Sequence, residues 1–179
     1  MYTLPNGIIT LDSLTPKFAP YRNGNGLISM SRVAATSPLR LGHPRGRSFG
    51  AALDRALEPL YSSHDERSTG DIESLSQMLQ MGRIDYFRSS SPEEEYLART
   101  QPKHQTTIHL PLEESHDLLS HEVACARTAW GAKIVERVNH QFELKELRQK
   151  FQGYYEGWLG PEELKLYRVW LSQTAQPGQ

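Results

Sequence analysis

Two arginines and a serine, placed directly before an apolar helix pattern, are the clearest candidates for binding chemistry in this sequence. Residues 39–60 (LRLGHPRGRSFGAALDRALEPL) have the pattern of a short strand, a loop and a helix, with Arg45 and Arg47 in the loop and Ser48 at the expected N-cap. A helix N-terminus offers free backbone N–H groups and about half a positive charge, so this arrangement could bind an anion. The alternative is an ordinary β–loop–α unit with solvated arginines, and both interpretations stay open at this point.

The other reactive side chains form no catalytic or metal-binding pattern. His116 and His121 are five positions apart, which is not the i, i+4 spacing of a zinc-binding helix. Cys125 is the one cysteine, so an internal disulfide is excluded. The sequence has neither a G-x-S-x-G nor a GxxxxGK[ST] motif. We therefore expect no catalytic residue, no metal, no cofactor and no enzymatic activity.

The composition limits the class of partner. The chain has 179 residues, a net charge of −1 and 37% hydrophobic residues, which is typical of a globular protein of one domain or slightly more. A near-neutral charge gives no support for a nucleic-acid partner. No run of 18 apolar residues is present, so we expect no integral membrane segment.

The order of patterns predicts the fold class. Alternating strand and helix patterns up to residue 127 predict an α/β fold with a mostly parallel sheet flanked by helices. Residues 1–37 are weakly patterned and are expected to form a tether. A strand is predicted at residues 122–127, and Ser91 is expected to cap a helix with Glu94 completing a capping box. Three helical patterns follow Thr128, and few strands are left for them to cover.

Five segments, in this order, together carry a family resemblance. They are residues 41–57, 79–86 (LQMGRIDY), 91–97 (SPEEEYL), 122–139 (EVACARTAWGAKIVERVN) and 151–159 (FQGYYEGWL). Each is weak alone, but their order and spacing resemble the second lobe and closing helices of the periplasmic solute-binding proteins of family 3. These proteins are the amino-acid-type receptors of ABC transporters.

The resemblance implies a domain organisation. It implies a tether or partial segment at residues 1–37, a complete solute-binding lobe at 38–127, and C-terminal helices at 128–175 that belong to a partly missing other lobe. The chain is therefore expected to be a truncated receptor. This would explain why the last three helical patterns have no sheet of their own.

The resemblance also implies ligand-binding residues. In the family, the loop and helix start after the first strand of this lobe contact the ligand's anionic group, and these positions are Arg47, Ser48 and Phe49 here. The aspartate that binds the ligand's ammonium group corresponds to Ser90, whose neutral hydroxyl cannot provide the same charge pairing. This puts an amino-acid ligand in doubt and favours another small polar or anionic solute. Arg45, the other arginine of the loop, is added to this set. The predicted ligand-binding residues are therefore Arg45, Arg47, Ser48, Phe49 and Ser90.

Two functions from different classes follow. The first is non-catalytic binding of a small solute, with a membrane permease complex as partner. The alternative is a protein-interaction module that pairs its exposed C-terminal helices with another chain. The expected location is the periplasm if the native start lies upstream with a signal peptide, and the cytoplasm if Met1 is the true start.

Overall fold

The structure, a computed structural model, describes residues 2–61, 67–69, 71–101 and 105–174. The strands are β1 (Tyr2–Thr3), β2 (Gly7–Leu11), β3 (Leu41–Pro44), β4 (Arg67–Thr69), β5 (Tyr86–Ser89), β6 (Thr107–Leu110) and β7 (Leu119–Ser120). The α-helices are α1 (Met30–Thr36), α2 (Ala51–Tyr61), α3 (Ile72–Gln80), α4 (Ser91–Thr100), α5 (Ala129–Glu143), α6 (Lys145–Glu156) and α7 (Pro161–Thr174). A 3-10 helix spans Asp12–Tyr21.

The chain divides into two compact units, and the boundaries between them differ from the predicted ones. The larger unit is Pro5–Asp117, and the smaller one is Met1–Leu4 with Leu118–Gln179. Most of the predicted tether therefore belongs to the larger unit, because β2 lies inside its sheet. That the helices of the smaller unit belong to an incomplete lobe stays a prediction.

The larger unit is built on a five-stranded sheet in the order β4-β3-β5-β2-β6. β3 pairs in parallel with both β4 and β5, whereas β2 runs antiparallel to its two neighbours. The predicted α/β class is confirmed. The sheet has a parallel part, from β4 to β5, and an antiparallel part that β2 and β6 add to it.

Strand β2 is buried along its whole length. Its sequence, GIITL, is rich in β-branched residues and carries no charge, which suits a strand with neighbours on both sides. Gly7 is required by close packing, because a Cβ there would lie 2.3 Å from His109 Nε2 and 2.6 Å from the Leu110 carbonyl oxygen. β2 thus joins the parallel part of the sheet to its antiparallel edge.

Helices cover both faces of this sheet. On one face, Leu53 and Leu57 of α2 pack with Ile8 and Tyr86 in a cluster that also includes α1. On the other face, α3 and α4 contribute the side chains that pack with Ile9 and Phe87; these side chains are Leu75, Leu79 and Leu97. The connections that follow β3 and β5 therefore leave the sheet toward opposite faces.

Arg40 and Asp85 join the starts of β3 and β5. The Asp85 carboxylate accepts hydrogen bonds from Arg40 Nε at 2.8 Å, from Arg40 Nη2 at 3.1 Å and from the Arg40 backbone N–H at 2.8 Å. Burial alone would raise the pKa of Asp85, but the bonds and charge of Arg40 outweigh burial and hold this pKa below its usual value. The pair therefore aligns the two strands at their amino ends.

The smaller unit contains the three predicted C-terminal helices and a short sheet of β1 and β7. Its core is Leu4, Tyr155, Leu159 and Tyr167. The Leu4 N–H donates to Tyr155 Oη at 2.8 Å, and burial raises the pKa of Tyr155 to about 12. These contacts tie the first residues of the chain to α6.

One predicted strand in this unit is wrong. Residues 122–127 form no strand, because they are mostly exposed and pair with no neighbouring strand; Val123, for example, is 48% exposed. The helix that follows begins as predicted, since Thr128 Oγ1 accepts a hydrogen bond from the Gly131 N–H. Several large apolar side chains of these helices stay exposed, including Trp130 and Tyr154. No described helix combines the length and apolar character needed to cross a membrane.

His109 gives the larger unit an acid-sensitive stability. Its Nε2 atom is buried and has no hydrogen-bond partner among the described residues, and burial lowers the pKa of His109 to about 4. The unfolded chain therefore takes up a proton near pH 6.5 that the folded chain resists until about pH 4, so stability falls as the pH falls through this window. The shift from 6.5 to about 4 corresponds to a stabilisation of at most about 3 kcal/mol that is present at pH 7 and lost near pH 4, since the His109 residue keeps partial exposure to solvent.

We expect His109→Gln to remove this pH dependence. We would measure the free energy of unfolding with urea at pH 7 and at pH 4. Its loss on acidification should be larger in the wild-type chain than in His109→Gln, by up to about 3 kcal/mol. His116→Gln, which changes an exposed histidine of the same unit, should behave like the wild type. Equal losses in the wild-type chain and His109→Gln would contradict the burial of a neutral imidazole.

Candidate functional site

The carboxyl ends of β3 and β5 form a crevice at one edge of the sheet. The two strands are adjacent and parallel, and the chain leaves β3 toward α2 and β5 toward α4, on opposite faces. Such a switch point separates the two connections and is where open α/β sheets bind ligands. The loop at residues 45–50 and Ser90 both follow these strand ends, so the structure brings the predicted residues to one edge.

A pocket of about 340 Å³ opens at this edge. It is lined by the end of β3, the start of α3 and the first turns of α4, through Pro44, Arg45, Arg47, Asp71, Ile72, Glu73, Glu93 and Tyr96. Of the predicted ligand-binding residues, Arg45 and Arg47 line it, whereas Ser48, Phe49 and Ser90 do not. Its size suits a small molecule.

Arg47 forms a two-point ion pair with Glu93. Arg47 Nη1 donates to Glu93 Oε1 at 2.8 Å, and Nη2 donates to Oε2 at 3.0 Å. Burial would raise the pKa of Glu93, but hydrogen bonds from Arg47, Ser89 and Ser90 outweigh burial and keep this pKa below its usual value. Glu93 is thus a charged partner at neutral pH.

Arg45 differs from Arg47 in its surroundings. Its side chain is exposed, and it makes no ion pair with any residue of the described ranges. It is therefore the pocket cation that remains available to an anion.

Phe49 lies beneath two guanidinium groups. The Cζ of Arg88 is 4.0 Å and the Cζ of Arg47 is 4.9 Å from the centre of its ring. Phe49 is only 8% exposed and Arg88 is fully buried, so this ring supports the loop and a solute has little access to it. Arg88 also reaches His43 Nδ1 at 3.0 Å. Cation–π contacts of this kind stabilise the position of both arginines.

Ser48 does not cap α2 as predicted, because the helix begins at Ala51. The Ser48 hydroxyl instead donates to Asp54, whose carboxylate also accepts the Phe49 N–H at 3.1 Å and lies 3.7 Å from Arg88 Nη1. Burial would raise the pKa of Asp54, but these bonds and the Arg88 charge lower it overall. An internal carboxylate therefore already lies where the predicted anion cradle of α2 would hold a ligand.

The predicted capping box is displaced by one residue. Ser90, not Ser91, is the N-cap of α4. Its backbone N–H and its hydroxyl both donate to Glu93 Oε2, at 3.2 and 3.1 Å. The polar groups of Ser90 are thus directed to Glu93.

Sequence reasoning missed three residues of this edge, namely Asp54, Arg88 and Glu93. Glu93 had a usable signal, because a glutamate three residues after a serine at a helix start turns back toward that serine. Arg88 and Asp54 had none, since each reaches the edge from a different element. Among the described residues, no group of three or more His, Cys, Asp or Glu could hold a metal ion.

Comparisons with known proteins identify the fold. No protein-family model matches the chain, and no curated protein sequence matches it. Solved structures do match. The GluR0 ligand-binding core in complex with L-glutamate aligns with a TM-score of 0.53 and 18% identity, over 89% of this chain and 64% of that one.

Two other solved structures align similarly. An amino-acid ABC transporter substrate-binding protein from Streptococcus pneumoniae bound to L-arginine gives a TM-score of 0.52 and 13% identity, over 88% of this chain and 57% of that one. An ancestral cationic amino acid solute-binding protein aligns with a TM-score of 0.50 and 14% identity, over 89% of this chain and 62% of that one. This chain spans 57–64% of the length of these three structures. It has the fold of the solute-binding proteins, as the sequence resemblance predicted, and identity this low establishes the fold alone.

Asp54 should be important for the stability of the crevice. Asp54→Ala removes a carboxylate from the buried Arg88 guanidinium and two hydrogen bonds from the loop, so we expect the free energy of unfolding to fall by about 2 kcal/mol. Asp54→Asn, which can still accept from the Phe49 N–H, should cost less. Urea denaturation measures both, with Asp117→Ala at a 94%-exposed side chain as control. A loss no larger than that of Asp117→Ala would show that the contact is not stabilising.

Proposed function

We propose that this chain binds a small polar solute at the crevice between the ends of β3 and β5, without transforming it chemically. The observation that carries the proposal is the convergence of Arg45 and Arg47 on a pocket of about 340 Å³ at the switch point of the sheet. A ligand site is expected at this position of an open α/β sheet.

The charges of the pocket favour a solute that carries both an anionic and a cationic group. Arg47 and Glu93 largely neutralise each other, which leaves the exposed guanidinium of Arg45 for a carboxylate or a similar anion. The carboxylates of Asp71 and Glu73, which also line the pocket, would face a cationic group of the solute, and Tyr96 would face its hydrogen-bonding groups. L-Glutamate and L-arginine, the ligands of two structures of the same fold, both carry a carboxylate, which makes them suitable first probes.

The proposal includes a partner and a location. One protein of the same fold is an amino-acid ABC transporter substrate-binding protein, and a receptor of this kind delivers its solute to a membrane permease. We therefore propose an ABC permease as the partner and the periplasm as the location. The alternative of a protein-interaction module would use the exposed apolar side chains of the smaller unit, but the comparisons do not support it.

Isothermal titration calorimetry with L-glutamate and L-arginine tests the proposal. We expect a measurable dissociation constant for at least one of them, which Arg45→Ala should raise roughly tenfold, the loss of about one charge-assisted hydrogen bond. Arg47→Ala and Ser48→Ala should weaken binding less, because the Arg47 guanidinium and the Ser48 hydroxyl act on the solute only by holding the loop to Glu93 and to Asp54.

Arg83→Ala is the matched control. Arg83 is exposed and lies in the turn between the end of α3 at Gln80 and the amino end of β5. Its loss therefore changes the net charge equally, but at the opposite edge of the sheet. Its affinity should equal that of the wild type. Unchanged affinity in Arg45→Ala, or an equal loss in Arg83→Ala, would rule out this crevice as the solute site.

A further inference from the structure

We propose that Glu93 is a specificity-determining residue, because its carboxylate occupies Arg47 in the position that a ligand anion would take. This inference rests on the proposed solute site. It implies that a solute with one anionic group can bind through Arg45, whereas a solute with two must displace Glu93 from Arg47. The chain would then discriminate against dianionic solutes.

The geometry of the pair supports the competition. Both terminal nitrogens of Arg47 are used, one on each oxygen of Glu93, at 2.8 and 3.0 Å. The guanidinium fork matches a carboxylate in this two-point arrangement. A ligand carboxylate would need the same two nitrogens, so Glu93 and the ligand cannot occupy this side of Arg47 together.

Glu93 is held in place independently of Arg47. Its Oε2 atom accepts hydrogen bonds from Ser89 Oγ at 2.7 Å and from the hydroxyl and the N–H of Ser90. Arg47 in turn lies over the Phe49 ring. Because both partners are positioned before they meet, little conformational entropy is lost when the pair forms. A solute must therefore compete with a preorganised carboxylate.

The same contacts explain why Arg45 and Arg47 are not equivalent. Arg45 lines the same pocket but is exposed and has no ion pair within the described part of the chain. The pocket thus offers one available cation and one that is already neutralised. A carboxylate left beside Arg47 would also repel a second ligand anion placed there.

Glutarate, a dianion without an ammonium group, is the probe. We expect Glu93→Gln to bind glutarate roughly fivefold more tightly than the wild type, which is the change expected when an exposed ion pair no longer competes. Glu95→Gln removes the same charge from the same helix, outside the pocket lining, and should bind like the wild type. In the double variant Arg47→Ala/Glu93→Gln the gain should disappear.

Four results would overturn the inference, three of which compare the variants with the wild type. The first is that Glu93→Gln binds glutarate no more tightly than the wild type. The second is that Glu95→Gln gains as much affinity for glutarate as Glu93→Gln does. The third is that the gain persists in the double variant that lacks Arg47. If no variant binds glutarate, the inference also fails, since releasing Arg47 would then create no anion site.

A second measurement separates this failure from failure of the proposed function. The rate at which p-hydroxyphenylglyoxal modifies Arg47, followed by peptide mass spectrometry with Arg45 as internal reference, reports on the ion pair without any solute. Glu93→Gln should accelerate modification of Arg47 severalfold relative to Arg45, because the guanidinium is released. An unchanged rate would contradict the pairing. If modification of Arg47 is accelerated but the chain binds neither L-glutamate nor L-arginine, the Arg47–Glu93 ion pair is confirmed and the proposed solute-binding function is wrong.

Discussion

The parallel pairing of β3 with β5 is the constraint on which the proposed site depends. The pairing is short, Leu41 with Tyr86 and Gly42 with Phe87, and the Arg40–Asp85 ion pair reinforces it at the amino end. A Cβ at Gly42 would lie 2.4 Å from Ile84 Cδ1 and 2.7 Å from Leu75 Cδ2, so α3 can pack against the sheet only because this position has no side chain. With this pairing fixed, the two loops that follow the strands have to meet at one edge.

Internal counter-ions determine the charge of that edge. Asp54 bonds the loop and contacts the buried Arg88, and Glu93 pairs with Arg47. These carboxylates hold the loop in place before any solute arrives, which lowers the entropy cost of binding. They also reduce the number of available cations. The crevice is therefore better suited to recognising a single anionic group than to attracting anions in general.

The sequence predicted the parts of the fold that local patterns control. The apolar spacing of α2 and the Thr128 cap were visible because periodicity and capping act within a few residues. The inner position of β2 was not, because pairing partners that are distant in sequence determine it. The predicted strand at residues 122–127 failed because β propensity produces a strand only where a neighbouring strand is available. At the site, the location of Arg45 and Arg47 followed from the chain order, whereas the partners of Arg47 and Ser48 depend on tertiary contacts.

Mapping of backbone amide chemical shifts during a titration of the isotope-labelled chain with L-glutamate or L-arginine tests the central claim most directly. The account predicts that the largest shifts fall on the three segments that line the pocket, namely residues 44–47, 71–73 and 93–96. Shifts concentrated in the helices at residues 129–174, or no shifts with either solute at millimolar concentration, would contradict the assignment of this crevice as a solute-binding site.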